Sequence, residues 1–160
     1  MLYRLECALH DHMEDTHGKS VAQRIDRALG LSVAGVRMVK VFTVDGLSEA
    51  QVTQLLEGGV WHDPILQQAR LEPMPVLGQA DWFLEVGFRP GVTDNEARTA
   101  RDTAAMVLDI PRESLRVYTA LQYRIANDPA RPLDREQAER IARGRRRVVR
   151  HVQDALSVEV

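Results

Sequence analysis

Eight residues near the N-terminus, His10-Asp11-His12-Met13-Glu14-Asp15-Thr16-His17, hold three histidines and three carboxylates. Imidazole and carboxylate together suit zinc, nickel or iron, so a metal site is the first chemistry to weigh. The chain carries its own control. A second stretch makes the same turn with Arg89, Gly91 and Glu96 where His10, His12 and His17 stand. A polar loop capping a helix accounts for the run, and no metal is expected. Gly18-Lys19-Ser20 has the ending of a phosphate loop, but that loop needs a glycine five residues earlier, where Met13 stands. Lys19 reads as a solvated helix residue. Cys7 sits mid-strand, away from any helix N-terminus that would activate it. Glu6 and Glu85 could form an acid–base pair, yet each points away from the apolar face of its strand and reads as a soluble-face residue. There is no nucleophile elbow and no glycine-rich nucleotide loop. The expectation is a chain with no catalytic residue and no cofactor of its own.

Binding chemistry has two candidates. Arg89-Pro90-Gly91-Val92-Thr93-Asp94-Asn95 is a turn running into a helix start, where free N–H groups attract anions. Capping by Thr93 with Glu96, or by Asp94 one position later, competes for those donors. The second is the basic run Arg140, Arg143, Arg145, Arg146, Arg147 and Arg150. Formal net charge is −2 and no aromatic residues interleave with the run, so nucleic acid is not the expected partner. Arg89, Pro90, Gly91, Thr93, Asp94, Asn95, Arg145, Arg146 and Arg147 are the candidate protein-docking residues.

The elements that position these residues follow from periodicity. With 160 residues, 44% apolar and 28% charged, the composition is that of a globular domain. No apolar run reaches the length of a membrane span. The N-terminus lacks the pattern of a signal peptide, and the single cysteine reads as a buried structural thiol. Cytoplasm is the expected compartment.

Laying Tyr3-Arg4-Leu5-Glu6 on Trp82-Phe83-Leu84-Glu85 gives an offset of 79 (82 − 3) that continues without gaps. Asp15 falls on Asp94, and the stripe Val21, Ile25, Leu29 falls on Ala100, Ala104, Leu108. Val36, Met38, Phe42 and Val44 fall on Leu115, Val117, Leu121 and Tyr123. A longer loop around 127–132 follows. Leu47-Ser48-Glu49-Ala50-Gln51 then matches Leu133-Asp134-Arg135-Glu136-Gln137, each a helix start with N-cap and N3 glutamine. The apolar tails Ile65–Leu71 and Val152–Val160 close the halves. Each half therefore predicts strand, helix, strand (one long or two short), helix, strand, with 1–72 and 82–160 as repeats and 73–81 as linker. The second strand is apolar on its other face too, at Val39 and Val41 and at Tyr118 and Ala120. These faces are expected to pack the two sheets together, helices outside, as a pseudo-dimer within one α+β chain.

The run Leu84–Ala100, LEVGFRPGVTDNEARTA, resembles the N-terminal region of fused phosphoribosylformylglycinamidine synthases, in which the PurS fold occurs twice in tandem. LECALHDHMEDTHGKSV resembles the first copy and LDREQAERIA the second helix of the second copy, so the resemblance spans nearly the whole chain. It implies a component of an ATP- and glutamine-dependent ligase of purine biosynthesis that amidates formylglycinamide ribonucleotide. The catalytic sites, with ATP and magnesium, would lie on a PurL-type synthetase and the glutaminase chemistry on a PurQ-type partner. The PurS part docks them. The chain departs from the family at Gly144–Arg150, where an apolar helix end is usual. The synthetase is expected as a separate subunit or as the remainder of a longer polypeptide. A rival expectation from duplication alone is a sensor that binds a small metabolite between the repeats.

Overall fold

The computed structural model describes residues 1–71, 80–88 and 92–143, together with the backbone of 148–152. The chain is α+β. Its strands are β1 (Leu2–Leu9), β2 (Val33–Asp45), β3 (Gln67–Arg70), β4 (Trp82–Gly87), β5 (Arg116–Asn127) and β6 (Val148–Val152). Its helices are α1 (Thr16–Leu29), α2 (Glu49–Glu57), α3 (Asn95–Leu108) and α4 (Arg135–Arg143), with a 3-10 turn at Arg112–Ser114. All strands join one antiparallel sheet in the order β3-β1-β2-β5-β4-β6. No helix among the described residues is long and apolar enough to cross a membrane.

The two halves meet edge to edge. β2 and β5 pair over almost their whole length, with Val41 opposite Ala120. Those two residues are equivalent under the offset of 79 (120 − 41), so the approximate twofold passes through that pair. The expected face-to-face packing of two sheets is thereby corrected: the halves share one sheet. Val39, Val41 and Ala120 gather with Ala8 in a small cluster on the face away from the helices. Tyr118 does not join them and stands 56% exposed. A residue near the end of a long strand can have the right alternation for the inner face and still lie beyond the side chains that cover it.

The helices interlock the halves further. One core cluster sets Leu5, Phe42, Val44 and Leu55 of the first half against Ala97, Ala100 and Ala104 of α3. The other sets Val21 and Ile25 of α1 against Trp82, Leu84 and Ile125 of the second half. Trp61 Nε1 donates to the Ala100 carbonyl at 2.9 Å and its ring stacks on Phe42. Each half contributes walls to both cores, so neither owns one.

The symmetry is broken by a slip of two residues. Tyr3 lies opposite Val44, but Trp82 lies opposite Ile125 rather than Tyr123. A slip of two keeps every side chain on its own face, whereas a slip of one would invert the strand. Trp82 and Leu84 accordingly remain buried on the helix side. Phe88 lies just past the end of β4 and is 39% exposed.

Local chemistry sets the helix ends. Ser48 and Gln51 form the expected capping box on α2, and Asp134 and Gln137 exchange the same two bonds on α4. On α3 the cap is Asp94, not Thr93. Its Oδ1 accepts from Ala97 N (2.8 Å) while Oδ2 accepts from the backbone and hydroxyl of Thr119. Asp15 does the same for Gly18 N and Met38 N. One carboxylate thus caps a helix and holds the central strand just beyond the last pair of its ladder, a double duty Thr93 is not positioned to perform. The last strand, β6, begins at Val148 rather than in the expected tail from Val152.

Gly18 lets α1 lie directly on β2, since a Cβ there would run into the Val36 carbonyl. The equivalent α3 residue is Ala97, so only α1 makes this backbone approach. Gly18→Ala is expected to lower stability by about 1–3 kcal/mol, the usual cost of overpacking, read as a shifted urea midpoint. Ala97→Gly should shift it less. Burial pushes the Cys7 thiol up to about 12, with Lys40 opposing. At neutral pH the native thiol is therefore protonated, and a thiol-exchange dye is expected to react with it only once denaturant opens the sheet.

Candidate functional site

Two grooves sit at equivalent places, one in each half, where the N-terminus of the first helix meets the start of the central strand. The first has a volume of about 450 Å³, with Met13, Asp15, Lys19, Ala22 and Arg37 in its lining. The second, about 510 Å³, presents Val92, Asp94, Arg98, Arg101 and Arg116 at the matching positions. Both lie within a half rather than between halves. A cavity that does touch both, among Val21, Leu84, Tyr123 and Ile141, holds only about 10 Å³, too little for a metabolite.

The grooves differ in how their cations are used. In the first, Arg37 donates to the carbonyls of Met13, Leu9 and His10, and Lys19 is paired with Glu14. In the second, Arg101 is paired with its neighbour Asp102, while Arg98 and Arg116 are exposed and their side chains make no ion pair or hydrogen bond among the described residues. Of the expected docking turn, Asp94 lines this second groove, and Thr93 and Asn95 flank it in the chain. Thr93 and Asn95 are exposed and Asp94 is spent on its cap. Arg89, Pro90, Gly91, Arg145, Arg146 and Arg147 lie outside the described residues.

The histidine run does not assemble as ligands: no cluster of His, Cys, Asp and Glu suited to a metal occurs among the described residues. His10 and His12 stack on each other, and His10 Nε2 lies 3.0 Å from the Pro64 carbonyl. Asp15 is the helix cap.

The polar feature that sequence reasoning missed lies across the central seam, on the face away from the helices. Arg124 of β5 bonds the carboxylate of Glu6 on β1, both nearly fully buried. Arg124 also donates to Gln122 at 2.7 Å and lies 5.1 Å from the centre of the Phe83 ring. Arg4 reaches Glu6 at 3.2 Å and takes Glu85 of β4 through two nitrogens, at 2.5 and 3.2 Å. Small side chains at the axis, Val41 and Ala120, leave room for these long ones to pass over them. Burial lowers the Arg124 guanidinium from its ordinary value, with Glu6 opposing. Burial also acts against Arg4, but Glu85 and Glu6 outweigh it and raise it. Glu6 and Glu85, expected as solvent-facing equivalents, are in fact joined through one network. The two-residue slip sets Glu85 opposite Gln122, and there Arg4 reaches it. The signal available beforehand was only that charges of both signs alternate on that face of β1, β4 and β5.

A buried, mutually paired network with no free acid or base fixes geometry rather than moving protons. Among the described residues, the second groove offers contact chemistry of another kind: Arg98 and Arg116, without a partner there, beside exposed apolar side chains. No protein-family model, curated protein or solved structure matches this chain.

Proposed function

We propose that the chain is a non-catalytic PurS-type assembly domain of phosphoribosylformylglycinamidine synthase, holding a PurL-type synthetase and a PurQ-type glutaminase together. The observation that carries the proposal is the twofold through Val41 and Ala120. Two strand-helix-strand-helix-strand units related by that axis and joined in one chain support the tandem reading. Linking two such units makes their pairing intramolecular and independent of concentration. The interlocked cores and the Glu6–Arg124 network favour a stiff body, which is what a surface that orients larger partners needs. ATP, magnesium and the glutaminase chemistry belong to the partners in this reading.

The test is reconstitution with PurL-type and PurQ-type proteins encoded in the same genome. Glutamine-dependent amidation of formylglycinamide ribonucleotide is expected to need this chain, while ammonia-dependent amidation by the synthetase persists without it. Glutamine-dependent activity at full rate in its absence, with no complex on gel filtration, removes the proposal.

A further inference from the structure

We infer that the groove between α3 and the start of β5 binds a short, extended, acidic segment of a partner protein. The inference adds the chemistry of one contact to the assembly reading and rests on it for the existence of a partner.

Three independent features converge there. The first is charge. Among the described residues the groove has three arginines, of which Arg101 is paired with Asp102, against one aspartate, and that aspartate is committed to Ala97 and Thr119. Among the described residues no carboxylate pairs with Arg98 or Arg116, in a chain whose net charge is −2. The matching groove of the first half is the internal comparison: there, at the same places in the fold, Lys19 and Arg37 are consumed by Glu14 and by loop carbonyls. Equivalent cations are engaged by the chain itself in one half and, among the described residues, not in the other.

The second feature is apolar surface. Phe88, Val92 and Tyr118 are all exposed large side chains and all line this groove. The residue equivalent to Tyr118 in the first half is Val39, which is fully buried. Arginine and aromatic side chains together are the composition of protein-binding hot spots, where the ring supplies area and the guanidinium supplies direction.

The third is the edge of β5. Among the described residues, β4 pairs with β5 from Ala120 onward. Thr119 N points to the β4 side, where Asp94 takes it, and the Ile125 carbonyl points the same way to accept from Asp81 N. Backbone groups alternate along a strand, so those of Val117 also face this side, into the groove. An extended segment laid along the edge finds main-chain partners there, and its alternate side chains meet the arginines and the apolar patch. This is strand addition with charge selection. A free phosphate or a single carboxylate uses the arginines but neither the edge nor the aromatic side chains, which is why a peptide is the better occupant.

The test is selection of a random 12-residue peptide phage library on the full chain. Fluorescence anisotropy of the enriched peptides and ¹⁵N chemical shifts of the chain then follow. Enrichment of peptides in which Asp or Glu alternates with apolar residues is expected, with shift changes centred on Val117 and Tyr118. Binding should weaken by about tenfold or more in the Arg98→Glu, Arg116→Glu double variant, given charge-assisted bonds. It should also weaken on raising salt. Both residues are exposed and have no pair among the described residues, so the variant keeps its fold, checked by its melting temperature. Lys19→Glu, in the other groove, should bind as the parent does. No enrichment, enrichment without acidic residues, or binding indifferent to the double variant overturns the inference. So does displacement of the peptide by millimolar inorganic phosphate, which would make this a small-anion site. The two proposals fail separately: assembly with synthetase and glutaminase that survives the double variant leaves the assembly domain standing and removes the groove, whereas peptide binding without any assembly does the reverse.

Discussion

Glu6→Ala is expected to cost the fold roughly 3–5 kcal/mol, the loss typical when one partner of a buried ion pair is removed. The loss would be read as a lowered urea midpoint with an unchanged slope. Glu6 and Arg124 belong to opposite halves and are both nearly inaccessible to water. Removing the carboxylate leaves a guanidinium that cannot shed its proton in a site that has already excluded solvent. Gln122 and the Phe83 ring remain beside it, but neither carries a countercharge. Arg124→Ala should cost less, because Arg4 still bonds Glu6 and so the carboxylate keeps one cationic partner. Replacing both residues by apolar ones, Glu6→Leu with Arg124→Met, should recover most of the stability, as buried pairs generally tolerate. If both single variants melted like the parent, the network would not be holding the seam.

How far the sequence reveals this architecture depends on how local each determinant is. The caps on α2 and α4 are written within four residues, and the four-residue stripes of α1 and α3 sit within one face of a helix, so both were legible and both bury as expected. The choice of Asp94 over Thr93 was not, because it is decided by Thr119, twenty-five residues away. Alternation told which side of a strand each residue faces but not what lies over that side. Glu6 therefore read as solvent-facing while it is buried against a residue 118 positions later, and Tyr118 read as buried while it lies open. The pairing of β2 with β5 is the largest omission. Both strands are apolar on two faces, and that pattern equally suits sheets stacked face to face or one sheet with its centre covered. The slip of two residues has no sequence signature at all, since it leaves each alternation intact. At the candidate site, the turn chemistry before α3 was visible. The contrast between open and neutralised arginines was not, because it depends on which carbonyls and carboxylates the fold brings near Arg37, Lys19, Arg98 and Arg116.

Val41→Asp is expected to abolish the native fold, whereas Tyr118→Asp should leave it intact. The pair decides where the halves are joined. Val41 is 1% exposed, stands at the twofold opposite Ala120 and has Glu6 as its neighbour on β1. A carboxylate placed there is desolvated beside an existing buried carboxylate, so burial and like-charge repulsion act in the same direction. Losses above about 4–5 kcal/mol come from such mechanisms, and total stability for a domain is only about 5–15 kcal/mol. Far-ultraviolet circular dichroism and gel filtration should report an unfolded or aggregated chain. Val41→Ala is the milder companion, folded but with a lower melting temperature, because it removes buried methyl groups at the axis without adding charge. Tyr118 sits two positions from Ala120 on the same strand face, yet its exposure puts a new charge in water. The change in stability should stay within about 0.5 kcal/mol. An unaltered melting temperature for Val41→Asp, or unfolding by Tyr118→Asp, would mean that the halves are joined somewhere other than the β2–β5 seam.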